Sequence, residues 1–210
     1  MTKKELAAEV ISRLKTEYPY SDCTLEYEEP WKLLVSVRLA AQCTDARVNQ
    51  IVPLLYEKFP TVEALANAPV QEIQEIVKPC GLGNSKARDI KACMQQLLER
   101  FDGKVPCDFE ALLSLPGVGR KSANLIMGDV FHAPAIVTDT HCIRLANRIG
   151  LVKDERDPYK VEMALRKIVP LQEGNDLCHR LVDHGRAVCT ARTMPYCDRC
   201  CLNDICKKHI

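Results

Sequence analysis

Leu115-Pro116-Gly117-Val118-Gly119-Arg120-Lys121 is the stretch on which the reading of this chain turns. Two glycines flank one apolar residue, which permits a tight turn with positive φ. Leu115 closes a short helical segment that Asp108 can cap, and Arg120 opens a longer one reaching to about Phe131. Val118 is expected to plug the turn into the core. A helix that starts directly out of such a turn points its free N–H groups outward, and that is an anion site suited to phosphate. Leu115, Gly117, Val118, Gly119 and Arg120 are the candidates to form it. The same residues also suit a plain connection between two helices with no ligand. Lys121 follows directly, either as a surface cation touching phosphate or as an amine nucleophile.

Outward from this turn the pattern is helical in both directions, with no run of period-2 alternation. Leu6, Val10, Ile11 and Leu14 form one stripe, stopped before Pro19. Pro30 opens an apolar segment to about Cys43. Ile51, Leu54, Leu55 and Phe59 mark the next helix, and Ile73, Ile76 and Val77 another that ends by Gly81. Asn84 is expected to cap a helix holding Ala87, Ile90, Met94, Leu97 and Leu98. Beyond Pro134 comes a short extended piece, Ala135 to Thr138. Asp139 can then cap a helix to Gly150, and Asp157-Pro158 starts a further one. The last helix, from about Asn175, leads into a group of cysteines. The fold class is therefore all-α, about ten helices, with turns set by 12 Pro and 9 Gly.

Bulk properties mostly exclude. The 210 residues carry 29 basic and 28 acidic side chains, net charge +1, so any basic face that meets a polyanion must be local. No apolar run follows the charged start Met1-Thr2-Lys3-Lys4-Glu5, and the most apolar stretch, Trp31 to Ala41, is broken by Lys32, Ser36 and Arg38. No signal peptide and no membrane span are expected, and the address expected is cytoplasmic. In that compartment 12 cysteines are not a disulfide framework. Cys189, Cys197, Cys200 and Cys206 stand at C-x7-C-x2-C-x5-C within 18 residues. Four thiolates that close can surround one metal centre, and spacing alone does not decide between zinc and an iron–sulfur cluster. The other eight are mostly small core residues.

Several motifs together carry a family resemblance: Leu39-Ala40-Ala41-Gln42-Cys43-Thr44-Asp45, Gly81-Leu82-Gly83-Asn84-Ser85-Lys86-Ala87, the Leu115–Lys121 turn, Val137-Thr138-Asp139-Thr140-His141, and His184-Gly185-Arg186 before Cys189. In this order, and with the four cysteines, they resemble the endonuclease III family of helix–hairpin–helix DNA glycosylases. The resemblance implies two helical lobes around a cleft. A six-helix barrel domain would span residues 23–133, and residues 1–22 and 134–210 would form a helical cluster domain. It also implies a [4Fe–4S] cluster on the four cysteines, double-stranded DNA with damaged bases or abasic sites as partner, no membrane, and a monomer, associated with the nucleoid if the source is bacterial. The chain departs from the family in five places. Seven residues rather than the usual six separate Cys189 from Cys197, and Cys201 directly follows Cys200. Arg38 stands where an apolar residue is usual, Thr138 where valine is, and Gly83 where an aromatic is frequent. The last three are expected to shift lesion preference rather than reaction type.

By the same resemblance Lys121 is the nucleophile. Its neutral amine would attack C1′ of the damaged nucleoside, and the resulting imine would permit β-elimination of the 3′ phosphate. Asp139 would stabilise positive charge developing on the sugar, although capping aspartates are common and a cap alone is the plainer reading. Gln42 and Leu82 fall in the loops that would fill the gap left by an extruded base, one by hydrogen bonding the orphaned partner and one as an apolar wedge. A helix-end glutamine and a core leucine account for them equally well. Arg192 lies in a mildly basic loop between the first two ligands and would touch phosphate. Asp45 reads as a helix cap, and His141 as a packed or hydrogen-bonded histidine. The expected activity is excision of oxidised or ring-saturated pyrimidines with strand cleavage. The competing readings are a glycosylase for mispaired adenine or alkylated purines, and a non-catalytic, metal-stabilised DNA-binding module. Lys121 and the end at Ile210 argue against the adenine-specific relatives, which usually lack the lysine and carry a further domain.

Overall fold

The structure, a computed structural model, describes residues 1–208. Residues 209 and 210, the end of the expected cluster domain, lie outside the described residues. Among the described residues there is no strand, and no helix is long and apolar enough to cross a membrane. The chain divides into two compact units, Thr24–Phe131 and Met1–Cys23 with His132–Ile210.

The Thr24–Phe131 unit holds seven α-helices. The helices are α2 (Pro30–Leu39), α3 (Asp45–Lys58), α4 (Val62–Asn67), α5 (Val70–Val77), α6 (Gly83–Phe101), α7 (Phe109–Leu113) and α8 (Arg120–Asp129). The longest, α6, is the central rod. Its stripe Ala87, Ile90, Cys93, Met94 and Leu97 is buried, and α4 and α5 pack along it. Such a stripe at helical spacing removes apolar area from water at about 25 cal/mol per Å². Helix α2 packs against α8 and carries the buried Leu33, Leu34, Val37 and Leu39. Two expectations are corrected. Asn84 is not the cap of α6: the helix already starts at Gly83, after a left-handed Leu82, with no side-chain cap. Asp45 is the first residue of α3 rather than its cap, which is Thr44, whose side chain accepts from the Arg47 amide at 3.3 Å.

The other unit holds α1 (Lys3–Glu17), α9 (Thr140–Ile149), α10 (Pro158–Leu165) and α11 (Gly174–Ala187). Thr2 and Glu5 form a reciprocal cap at the start of α1, and Leu6, Ala7, Val10, Ile11 and Leu14 are its buried stripe. Helix α11 packs on both α1 and α9. The α9–α11 crossing requires Gly185, because a Cβ there would lie 2.5 Å from His141 Nδ1 and 2.8 Å from Arg144 Nη2. The piece Ala135–Thr138 is buried and forms neither helix nor strand, and its end turns through a bond from the Asp139 amide to Val137 O at 3.0 Å.

Candidate active site and metal centre

The hairpin forms between α7 and α8. Asp108 caps α7 through the Ala111 amide at 2.7 Å. Leu115 is buried at 2 % exposure, and its carbonyl accepts from the Val118 amide at 3.1 Å. Gly117 has φ +75°, the conformation that glycine adopts without cost. A Cβ at Gly117 would also stand 2.7 Å from Arg38 Cδ and 3.0 Å from Asp89 Cβ. Arg38 donates from Nε to Asp89 Oδ2 at 2.8 Å and from Nη2 to the same oxygen at 2.7 Å. The departure at Arg38 therefore has a local reason: its ion pair is the surface against which the turn rests. Val118 is half-buried and borders a small cavity with Leu34, Val35, Ile90 and Met94.

Gly119 precedes α8 and no side chain caps that helix. The first turn of α8 thus offers its amides at the positive end of the helix. Arg120 sits with its guanidinium 4.9 Å from the Phe109 ring centroid, packed back toward α7. Lys121, by contrast, is exposed. In the same unit Gln42 and Leu82 share an unexpected feature. Both are non-glycine residues in the left-handed region, with φ of 56° and 51°. Both are exposed, and Leu82 at 55 % is not the core leucine that its apolar type would suggest.

In the other unit Asp139 caps α9. Its Oδ1 accepts from the Cys142 amide at 2.7 Å, while Oδ2 has no hydrogen bond among the described residues. The carboxylate can cap and still present an oxygen. His141 lies 3.2 Å from Arg144 Nη2, a hydrogen-bonded histidine as expected.

The four cysteines Cys189, Cys197, Cys200 and Cys206 line one cavity with Arg148, Val188 and Pro195, enclosing about 350 Å³ of empty space partly open to solvent. Cys201 does not line it. Its carbonyl instead accepts from Arg13 Nη1 of α1 at 3.0 Å. Burial pushes the Cys200 thiol up to about 11, and its neighbours Cys201, Cys206 and Cys189 add to the rise. Burial raises Cys206 as well, with Cys189 and Cys197 contributing. Mutual repulsion of this kind is relieved by a cation, which binds the thiolates. No three of the four sulfurs lie within 4.8 Å of one another among the described residues.

Sequence reading missed the residues that hold this loop. Arg144 Nη2 donates to the carbonyls of Gly185 and Cys189, each at 3.1 Å. Arg148, one turn further along α9, donates from Nη1 to Thr190 O at 2.7 Å and lies 3.4 Å from Cys189 Sγ. Their spacing of four on the helix that Asp139 caps was the available signal. Buried His184 bridges Tyr18 OH at 3.0 Å and Cys200 Sγ at 3.3 Å, and burial lowers its pKa to about 4, so the ring is neutral. Arg192 is exposed in the loop between Cys189 and Cys197.

The hairpin sets the class of protein. Residues 35–171 match the HhH-GPD superfamily of base excision DNA repair proteins. Within that superfamily the similarity is to one kind of enzyme. Endonuclease III of Synechocystis sp. is 42% identical over 206 residues, 98% of this chain and 93% of its own length. Endonuclease III of Escherichia coli K12 is 38% identical over 199 residues, 95% of this chain and 93% of its own. A solved endonuclease III, trapped as a covalent intermediate with DNA, matches with a TM-score of 0.92 at 35% identity, covering 99% of this chain and 97% of that one. The chain therefore belongs to the endonuclease III family, the DNA glycosylase/AP lyases of base excision repair.

Proposed function

We propose that this enzyme removes oxidised or ring-saturated pyrimidines from double-stranded DNA and cleaves 3′ to the resulting abasic site, with Lys121 as nucleophile. The exposed amine of Lys121, in the first turn of an uncapped helix just past the hairpin, is the observation that carries this reading. The amides of that turn and of the hairpin would hold a DNA phosphate beside the amine. Lys121 Nζ forms a bond to C1′ as the base departs with the glycosidic electron pair, and loss of a proton from nitrogen leaves an aminal. The nitrogen lone pair then breaks the C1′–O4′ bond, O4′ takes up a proton, and the opened sugar carries the protonated imine. The imine acidifies C2′–H, and removal of that proton expels the 3′ phosphate. Asp139 supports the first step through Oδ2, by stabilising positive charge on the sugar. Gln42 and Leu82 are read as the pair that occupies the opened stack, a reading supported by their exposure and left-handed backbone.

We also propose that Cys189, Cys197, Cys200 and Cys206 hold a [4Fe–4S] cluster, with Cys201 outside the ligand set. Four thiolates suit zinc or an iron–sulfur cluster, and membership of the endonuclease III family supports the cluster. Bound by these four residues, the cluster would cross-link the loop that carries Arg192, which is read as a phosphate contact. The Thr24–Phe131 unit is proposed as the barrel domain and the other unit as the cluster domain, acting in a cytoplasm that keeps thiols reduced.

Single-turnover cleavage of matched duplexes tests the substrate. Thymine glycol and dihydrouracil should be excised, with little action on uracil or on adenine opposite 8-oxoguanine. Fast adenine removal without pyrimidine activity would overturn the substrate, and binding without any scission would overturn the chemistry.

A further inference from the structure

Lys86 of α6 is fully buried, yet the structure gives its amine no carboxylate partner among the described residues. A buried ammonium is costly unless it is hydrogen-bonded. Lys86 Nζ donates instead to two backbone carbonyls, Leu39 O and Cys80 O, each at 2.8 Å. Leu39 ends α2, and Cys80 ends the 3-10 turn Lys78–Cys80. Carbonyls at helix ends lack intrahelical partners and carry partial negative charge, so one cation satisfies both. The backbone amide of Lys86 also donates to Leu82 O at 3.0 Å.

The two gripped carbonyls stand at the roots of the two exposed loops. Gln42 follows Leu39 by three residues, and Leu82 follows Cys80 by two. Each of these residues holds a left-handed backbone that a side chain disfavours. Such conformations persist only where the surroundings over-determine them. Burial and two short hydrogen bonds on one amine supply that constraint on both loops at once. The Cys43 and Cys80 side chains also meet between the two loops. The Lys86 amine adds the bond that ties backbone to backbone, and methionine keeps a stem of similar length without it.

We propose that Lys86 is a positioning residue that locks the Gln42 loop and the Leu82 loop into one register, so that both enter the duplex as a preassembled pair. The proposal rests on the reading that Gln42 and Leu82 occupy the opened stack. Lys86 touches no substrate; its effect on the reaction runs through these two side chains.

The test compares Lys86→Met with Gln42→Ala, Leu82→Ala and their combinations. One probe is a duplex with 2-aminopurine beside a tetrahydrofuran abasic analogue, whose fluorescence reports unstacking without chemistry. A second is single-turnover excision of dihydrouracil from duplex DNA, and a third is borohydride trapping on a single-stranded abasic oligonucleotide, where no stack must be opened. Lys86→Met should lose the 2-aminopurine response and slow duplex excision by about 10²-fold, the scale of an ångström-level misplacement. Its single-stranded trapping should change far less. In the Gln42→Ala, Leu82→Ala background, the added Lys86→Met change should have almost no further effect. If the loop variants lose the response while Lys86→Met keeps it, the Lys86 proposal is wrong and the loop reading stands. If the loop variants keep it, the loop reading itself fails. An equal loss in all three assays would mark Lys86 as merely structural and overturn the proposal. Should Lys86→Met not fold, hydrogen exchange on the native enzyme decides: the bonded amides of Cys43, Gly81 and Lys86 should exchange as one cooperative set, and independent exchange would overturn the coupling.

Discussion

The hairpin Leu115–Lys121 and the loop Cys189–Cys206 are both short irregular segments placed beside a helix, and they are held in different ways. The hairpin rests on its own core. Leu115 is buried, Val118 reaches toward α2 and α6, and the Arg38–Asp89 pair presses on Gly117. The cysteine loop has little of this: among its apolar residues Leu202 is buried, whereas Met194 and Tyr196 are exposed. It hangs on bonds from Arg13, Arg144 and Arg148 to backbone carbonyls and on whatever the four thiols bind. The hairpin should therefore be in place before any ligand arrives, whereas the loop should take part of its order from the proposed cluster.

The strongest way to break this comparison is to remove a ligand. Cys200→Ser should lose the metal, and Cys201→Ser should keep it, as read by iron content and the broad absorption near ~400 nm of a [4Fe–4S] protein. Hydrogen exchange in Cys200→Ser should rise at the Asn203 and Cys206 amides, while the Val118 and Ala123 amides keep their protection. Equal loosening of both segments would contradict the distinction.

Asp139→Asn separates two roles at one position. Asparagine caps as well as aspartate, so the melting temperature should hardly move. Base excision should nevertheless fall by about 10²–10⁴-fold, the usual range for a lost acid–base or charge-stabilising group. Unchanged excision would leave Asp139 a cap and nothing more.

Gly117→Ala probes the hairpin's dependence on packing. A left-handed backbone and a Cβ too close to Arg38 together should destabilise by about 1–3 kcal/mol, measured as a shift in the urea midpoint. Adding Arg38→Ala should recover part of that loss, because the crowding atoms are gone. The smallest effect is expected at Arg192→Ala: a modest drop in DNA affinity, uniform across sequences, with the slope of log K against log salt reduced by about one contact's share. A sequence-selective loss would place Arg192 at a base instead.

Sequence carried more of this molecule than its bulk composition promised. The caps at Asp108, Asp139 and Asp157 and the apolar stripes of α1 and α6 were legible because they depend on residues a few positions apart. The start of α6 was misplaced because Leu82 adopts a left-handed conformation that leucine rarely does, and no local signal announces it. Helix α4 escaped notice because six residues hold less than two turns of periodicity. The roles of Arg38, Lys86, Arg144 and Arg148 depend on partners 41 to 51 residues away, or on carbonyls that every residue type carries equally. The cysteine spacing left Cys200 and Cys201 both open as ligands; the cavity is lined by Cys200 and not by Cys201, which supports the proposed set.

The central claim is that the exposed lysine beyond the hairpin does the chemistry. Borohydride reduction of the enzyme mixed with an abasic duplex tests it most directly. The native chain should form a covalent protein–DNA adduct, with the modified peptide mapping to Lys121. Lys121→Ala should form none while retaining much of its DNA affinity, since the hairpin amides remain. Undiminished trapping by Lys121→Ala, or an adduct mapped to another lysine, would contradict the account.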